Sequence, residues 1–301
     1  MKYQMLLRVM GVVLLFLNFL VFPLEATNSP NEIFTKKEYA IVTCGADCGM
    51  FRTFASLTGL LHLYDLGYYG GLKVDCGLDG LYYDAAYGPN WWEYYFEPIS
   101  IGDETNTIPV LTANGPVGID CAMLTEFQLN KKQVNEIINK YIRIKPYIQN
   151  KINDYVNSHF RTSFVIGVHY RGTDKSIEAP RVTYQAMASL ISKEAKKHKR
   201  KSVKVFIATD EQPFLAYMKK LYPAHVVSYE DAIHSTSATP IHKTVGQKYK
   251  KGEDALMDCL LLSKCHVLIK TSSNLSLVST YFNPLMPVIH ASQRPWKAPI
   301  E

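Results

Sequence analysis

From Arg161 onward, short apolar runs alternate with longer amphipathic stretches, and this alternation leaves the second half of the chain very few folds to adopt. Strands are expected at 164–168, 203–208, 225–228, 267–270 and 287–290, with helical patterns at about 184–196, 211–221, 253–263 and 274–282. A strand that is apolar throughout is buried on both faces, and a strict strand–helix alternation covers a parallel sheet on both sides. The expected class is α/β, with this half a doubly wound, Rossmann-like lobe.

Ligands of such sheets sit just beyond the carboxyl ends of the strands, so the polar residues placed there are the ones to read for function. Ile-Gly-Val at 166–168 runs straight into His169, Tyr170, Arg171, Gly172, Thr173, Asp174 and Lys175. An arginine there offers a planar fork of donors to a phosphate, although an isolated cluster of this kind also reads as a salt-bridged strand end. The second strand ends in Thr209, Asp210 and Glu211, and the fourth in Thr271, Ser272, Ser273 and Asn274, each opening a helix. Asp210, Ser272 and Ser273 fit plain N-cap roles; equally, the hydroxyls and free amides at 271–274 make a cradle for an anion. With Arg171 facing that cradle, a diphosphate fits.

These residues carry a resemblance to the fucosyltransferase superfamily of the α-1,6-fucosyltransferases, the nodulation fucosyltransferases and the protein O-fucosyltransferases. Its first motif, His-x-Arg-Arg-Thr-Asp-Lys, is similar to 169–175; its second to Ile-Ala-Thr-Asp-Glu at 207–211; its third to 258–265 followed by Lys-Thr-Ser-Ser-Asn at 270–274. Order and spacing agree over roughly 164–284. The departure is Gly172, where the α-1,6 enzymes have a second arginine, and it leaves the linkage type open.

The resemblance implies a GT-B architecture: two facing Rossmann-like lobes, an N-terminal lobe on the acceptor side over 38–160 and a nucleotide-sugar-binding lobe over 161–301. It implies an inverting glycosyltransferase that moves fucose from GDP-fucose to a glycan or glycopeptide. The alternatives are another nucleotide sugar as donor, or a catalytically silent binder. Breaking a sugar–diphosphate bond builds negative charge on the leaving phosphate, so a fixed guanidinium is what the transition state needs, and Arg171 is the first choice. Asp258, by its place in the third motif, suits the paired donors of a guanine edge. Glu178 resembles the family's candidate base, one residue closer to Lys175 than in the α-1,6 enzymes. Asp174 competes with it for that role or buttresses Arg171, and His169 serves as a base or contacts the nucleoside.

The first half gives a strand at 39–43, then a turn with Gly45 and Gly49 and an apolar helix at 51–66. The turn is similar to the Cys-Gly-rich turn of the same superfamily, which makes both glycines candidates for close approach to the donor phosphates. A second strand is expected at 72–76, and helices at 124–141 and 146–159. The aromatic segment at 82–98 fills the core of this lobe or, through Trp91, Trp92, Tyr94 and Tyr95, stacks on acceptor sugars; core is the preferred reading.

Of the 301 residues, 47% are hydrophobic, enough for two cored domains, and much of the +6 net charge lies in the Lys-rich run at 193–204. That run lacks interleaved aromatics and reads as a solvated helix face, so nucleic acid is not an expected partner. Residues 1–26 form a basic-then-apolar targeting segment, a cleaved signal peptide in preference to a single-span anchor, which puts the chain in a secretory lumen or outside the cell. A membrane is a partner only through such an anchor. The six cysteines match no zinc pattern; Cys44 with Cys48 is one possible disulfide, and Cys259 and Cys265 read as buried helix thiols. No Asp-x-Asp pair follows a strand, and no metal or other cofactor is expected besides the donor substrate.

Overall fold

The computed structural model describes residues 39–44, 48–77, 80–102, 107–111, 129–172, 181–229 and 246–291, all within one compact unit, Lys36–Glu301. Residues 1–26, Gly45, Cys121, Thr173, Asp174, Glu178 and the predicted helical residues 124–128 lie outside the described residues.

The five strands expected in the second half are β5 (Phe164–Tyr170), β6 (Val203–Thr209), β7 (Val226–Val227), β8 (Val267–Lys270) and β9 (Val288–His290). They form a wholly parallel sheet in the order β7-β6-β5-β8-β9. The chain starts in the middle, winds outward to β7, then returns to the other side of β5, so the strand order reverses between β5 and β8. At such a reversal a crevice beyond the carboxyl ends is the expected place for a ligand. Helices α5 (Tyr184–Lys197) and α6 (Gln212–Leu221) cover one face, where Ile166, Val168, Tyr170, Val205, Ile207, Val267 and Ile269 share a core with Met187, Ile191, Phe214 and Met218. Side chains alternate along a strand, so Gly167, His169 and Lys270 face the other way, toward α7 (Lys248–Ser263).

Ahead of these lie β1 (Tyr39–Thr43), α1 (Met50–Asp65), β2 (Gly71–Val74), the short α2 (Trp92–Tyr95), β3 (Ser100–Gly102) and β4 (Thr107–Leu111). Helices α3 (Lys131–Tyr141) and α4 (Pro146–His159) lead to β5. This second sheet has the order β3-β2-β1-β4, parallel except for the β2–β3 pair. Sequence pattern finds β1 and β2 and misses the other two strands. β3 is three residues long, and Pro109 in β4 argues against a strand; β4 tolerates it because it lies on the sheet's edge. Helix α3 starts later than the apolar pattern suggests, at the capping box of Asn130 with Gln133.

Trp91, Trp92, Tyr94 and Tyr95 are buried, as the core reading expects. Phe54 of α1 packs among Trp92, Phe96 and Phe282, and the Tyr95 hydroxyl donates to the Tyr249 carbonyl at 2.7 Å. Asn90 holds the segment against β2, taking the Cys76 amide at 2.9 Å and donating to the Val74 carbonyl at 2.9 Å. Helix α7 runs five residues further back than predicted, through Gly252. A Cβ there would lie 2.3 Å from the Tyr95 hydroxyl and 3.0 Å from the Tyr82 ring, so a helix-weakening glycine is what lets the aromatic layer reach the helix.

The disulfide joins Cys44 to Cys76, not to Cys48, which is buried and takes no part in the bond. The reason is register. Val42 pairs with Val74 across parallel β1 and β2, so Cys44 and Cys76, two residues further along each, emerge side by side with Cα atoms 5.1 Å apart. Cys259 is buried within α7 as expected; Cys265 is also buried but lies just past the helix end.

Candidate functional site

Three strand ends meet at the crevice and are tied to one another by their own hydrogen bonds. The Thr271 amide donates to the His169 carbonyl at 3.0 Å, and the Thr271 hydroxyl accepts from the Arg171 amide at 3.0 Å. On the other side the Thr209 hydroxyl donates to the Tyr170 carbonyl at 2.8 Å and accepts from the Glu211 amide at 3.1 Å. Arg171 therefore leaves β5 with its backbone fixed between β6 and β8. Its Nε lies 4.0 Å from Asp210 Oδ2, so Asp210 turns toward the guanidinium; the N-cap position of α6 falls to Glu211 instead. Ser273 does cap α8 (Asn274–Phe282), accepting from the Leu275 amide at 3.3 Å.

His169 sits one residue before this turn, 4% exposed, and among the described residues its Nδ1 has no hydrogen-bond partner. Burial, then the charges of Arg171 and Lys270, push its pKa down to about 3. A neutral imidazole is therefore present at any ordinary pH, which removes it as a pH switch. The folded pKa lies below the unfolded value of about 6.5, so the unfolded chain binds the extra proton: the associated stability is complete above that value and is lost as pH falls toward 3. The wild-type melting temperature is expected to drop more between pH 7 and pH 4 than that of His169→Gln. Parallel profiles for the two proteins would contradict the assignment.

Asp258 is half-buried on α7, in one stripe with Lys250 and Asp254, which pair with each other. Burial, then the neighbouring Asp254 charge, hold its carboxyl well above the usual range; Lys250 offsets this in part and Asp210 adds to it. The helix stripe thus brings Asp258 into electrostatic reach of Asp210 and hence of the strand-end cluster.

From the first half, α1 begins at Gly49, whose extended backbone has no side-chain cap. The Met50 amide donates to the Tyr82 hydroxyl at 3.4 Å, and that oxygen is 4.0 Å from where a Gly49 Cβ would sit. Tyr82 is buried against Trp91 and Gly252, and the Arg171 charge is close enough to oppose the rise that burial gives its pKa. The start of α1 and the end of β5 therefore address one region through Tyr82. Sequence reading nominated Gly49 and Arg171 but passed over Tyr82, which nothing distinguished within an aromatic run. Lys270, 4% exposed, was also missed, although a lysine closing the apolar run Val-Leu-Ile-Lys was a legible signal.

Among the described residues no group of three His, Cys, Asp or Glu side chains is arranged to hold a metal ion, and no helix is long and apolar enough to cross a membrane. A cleft of about 430 Å³ between α3, α4, α7 and α8 is lined by Ile138, Arg143, Gln149, Leu260, Lys264 and Phe282 among others, and none of the nominated residues reaches it.

Comparison with known proteins agrees with this geometry. Structural similarity extends to the NodZ alpha-1,6-fucosyltransferase co-crystallized with GDP (19% identity, TM-score 0.54, covering 85% of this chain and 95% of that one). The Se-Met fucosyltransferase NodZ from Bradyrhizobium gives 19% identity, a TM-score of 0.55 and the same coverage. An Arabidopsis thaliana FUT1 variant in complex with GDP gives 12% identity and a TM-score of 0.52 over 92% of this chain and 73% of that one. No curated protein sequence matches the chain. At these identities the structures establish the fold, while the family is established by sequence: the family model described as Nodulation protein Z (NodZ) matches residues 113–290, more than half of the chain. The chain belongs to the NodZ family.

Proposed function

We propose that this protein is an inverting glycosyltransferase that moves fucose from GDP-fucose to a hydroxyl of a glycan or glycopeptide. The observation that carries the reading is the unsatisfied buried Nδ1 of His169 beside Arg171 and Lys270 at the strand-order reversal. A buried polar atom without a partner costs roughly 1–3 kcal/mol, so its persistence beside two cations marks a place for an anionic, hydrogen-bonding ligand. Similar structures were obtained with GDP or soaked with GDP-fucose, and a nucleoside diphosphate sugar has the required chemistry.

In this reading the acceptor oxygen attacks the anomeric carbon as the bond to the β-phosphate oxygen breaks, and the electron pair leaves with GDP. Arg171 meets the charge that builds on the diphosphate; the amides at the start of α1 and the Tyr82 hydroxyl address it from the first sheet, giving the two facing lobes of a GT-B enzyme. Asp258 takes the guanine edge, whose paired donors favour the carboxylate and so oppose the rise that burial gives its pKa. The acceptor proton goes to a carboxylate on the loop after Gly172, Glu178 or Asp174.

The disulfide agrees with an oxidising compartment, and with residues 1–26 as a signal peptide or anchor that delivers the chain to a secretory lumen or exports it. A panel of nucleotide sugars in a hydrolysis and transfer assay tests the donor. GDP-fucose is expected to be turned over fastest, and to be turned over equally in chelator; preference for a UDP-sugar, or GDP binding without turnover, would replace this reading.

A further inference from the structure

Gly172 follows Arg171, and the space that a side chain there would need is already filled. A Cβ on Gly172 would lie 2.1 Å from Glu211 Oε1 and 2.9 Å from the Tyr170 ring. Glu211 is buried, 6% exposed, so its carboxylate needs a partner, and that partner comes from outside the motif. Arg181 Nη2 donates to both Glu211 oxygens at 3.0 Å, and the Tyr184 hydroxyl donates to Oε2 at 2.7 Å. Arg181 Nε also donates to the Tyr170 hydroxyl at 3.4 Å, and that hydroxyl donates to the Val182 carbonyl at 2.8 Å. With the Thr209 hydroxyl on the Tyr170 carbonyl, the end of β5, the start of α6 and the chain at Arg181–Val182 form one closed corner.

The two acids that follow β6 divide the work. Asp210 turns to Arg171, and Glu211, on the opposite side of the strand, turns to Arg181. The backbone from which Arg171 projects is therefore held on its far side by Arg181. Resting on the nucleotide-sugar reading, we infer that Arg181 is a positioning residue of the donor site, supplying from position 181 the second guanidinium that Gly172 cannot carry. It acts through Glu211 on the aim of Arg171, and it is not a catalytic residue. An uncharged replacement of Arg181 leaves a buried carboxylate without its cation, and Glu211 must then move or take up a proton.

The test uses the full chain with Arg181→Gln and Arg181→Lys. Binding of GDP and of guanosine is measured by calorimetry, and transfer by initial rates. Because misaiming Arg171 touches only the phosphates, Arg181→Gln should lose GDP affinity and turnover by about 10- to 100-fold, with guanosine binding unchanged. Lysine keeps a cation on Glu211 but gives up the bond to Tyr170, so its losses should fall between those of wild type and glutamine. Placing Gly172→Arg and Glu211→Asp on the Arg181→Gln background moves the guanidinium back beside Arg171 and should recover most of the lost GDP affinity. Wild-type behaviour of Arg181→Gln or Arg181→Lys overturns the inference, as does an equal loss of GDP and guanosine binding, whether or not the triple variant folds. A wild-type chain that binds neither GDP nor guanosine defeats the nucleotide-sugar reading itself, an outcome visible before any variant is made.

Discussion

Arg171→Ala is expected to lower transfer from GDP-fucose by about a thousandfold, the scale seen when a fixed donor to developing charge is removed. GDP binding should weaken less, by about 10- to 100-fold, because bound GDP keeps Lys270 and the start of α1 at its diphosphate and Asp258 at its guanine. The fold should be unaffected, since the Arg171 backbone is held by Thr271 and its side chain is 21% exposed at the crevice. Arg171→Lys should recover only part of the rate, as a point charge cannot span two phosphate oxygens in the way a guanidinium does. Initial rates with saturating donor, set beside calorimetric GDP affinity, separate the two effects. An alanine variant as fast as wild type would end the proposal that Arg171 stabilises the leaving group.

The second large effect is on stability. Replacing Cys44 and Cys76 together by serine should cost about 3–4 kcal/mol, the loop-closure entropy of a cross-link of this span, given a separation of 32 residues. Replacing both removes the chance that Cys44 re-pairs with Cys48. Urea denaturation of the wild type in reductant should overlay that of the double variant, and a wild type indifferent to reductant would show the bond contributes nothing. The disulfide sits at the carboxyl ends of β1 and β2, the same end from which α1 starts, so weaker GDP binding in the double variant is expected to accompany the lost stability.

The five-stranded sheet was readable because its strands are apolar on both faces and three of its strand ends carry polar residues in motif order. His169, Arg171, Asp210 and Thr271 lie at the carboxyl ends of three strands of one parallel sheet, and the strand–helix alternation places those ends on one side. The first half was harder. β4 carries Pro109, which is a strand-breaker anywhere but at an edge, and whether a strand is at an edge is a property of the sheet. Gly252 ends the helical pattern on paper and continues the helix in space because Tyr95 and Tyr82 press against it.

The sequence by itself determined the α/β class, the alternation of strands and helices in the second half, and the polar residues that follow three of its strands, because periodicity and chain order are local quantities. Only the tertiary structure decided which groups act on one another. Register set Cys44 against Cys76, the packing of α7 on the aromatic layer brought Tyr82 to the start of α1, and the meeting of β5 with β6 put Glu211 where a side chain at Gly172 would be and drew Arg181 to it. Such pairings depend on distances between residues far apart in the chain, and no local pattern encodes them.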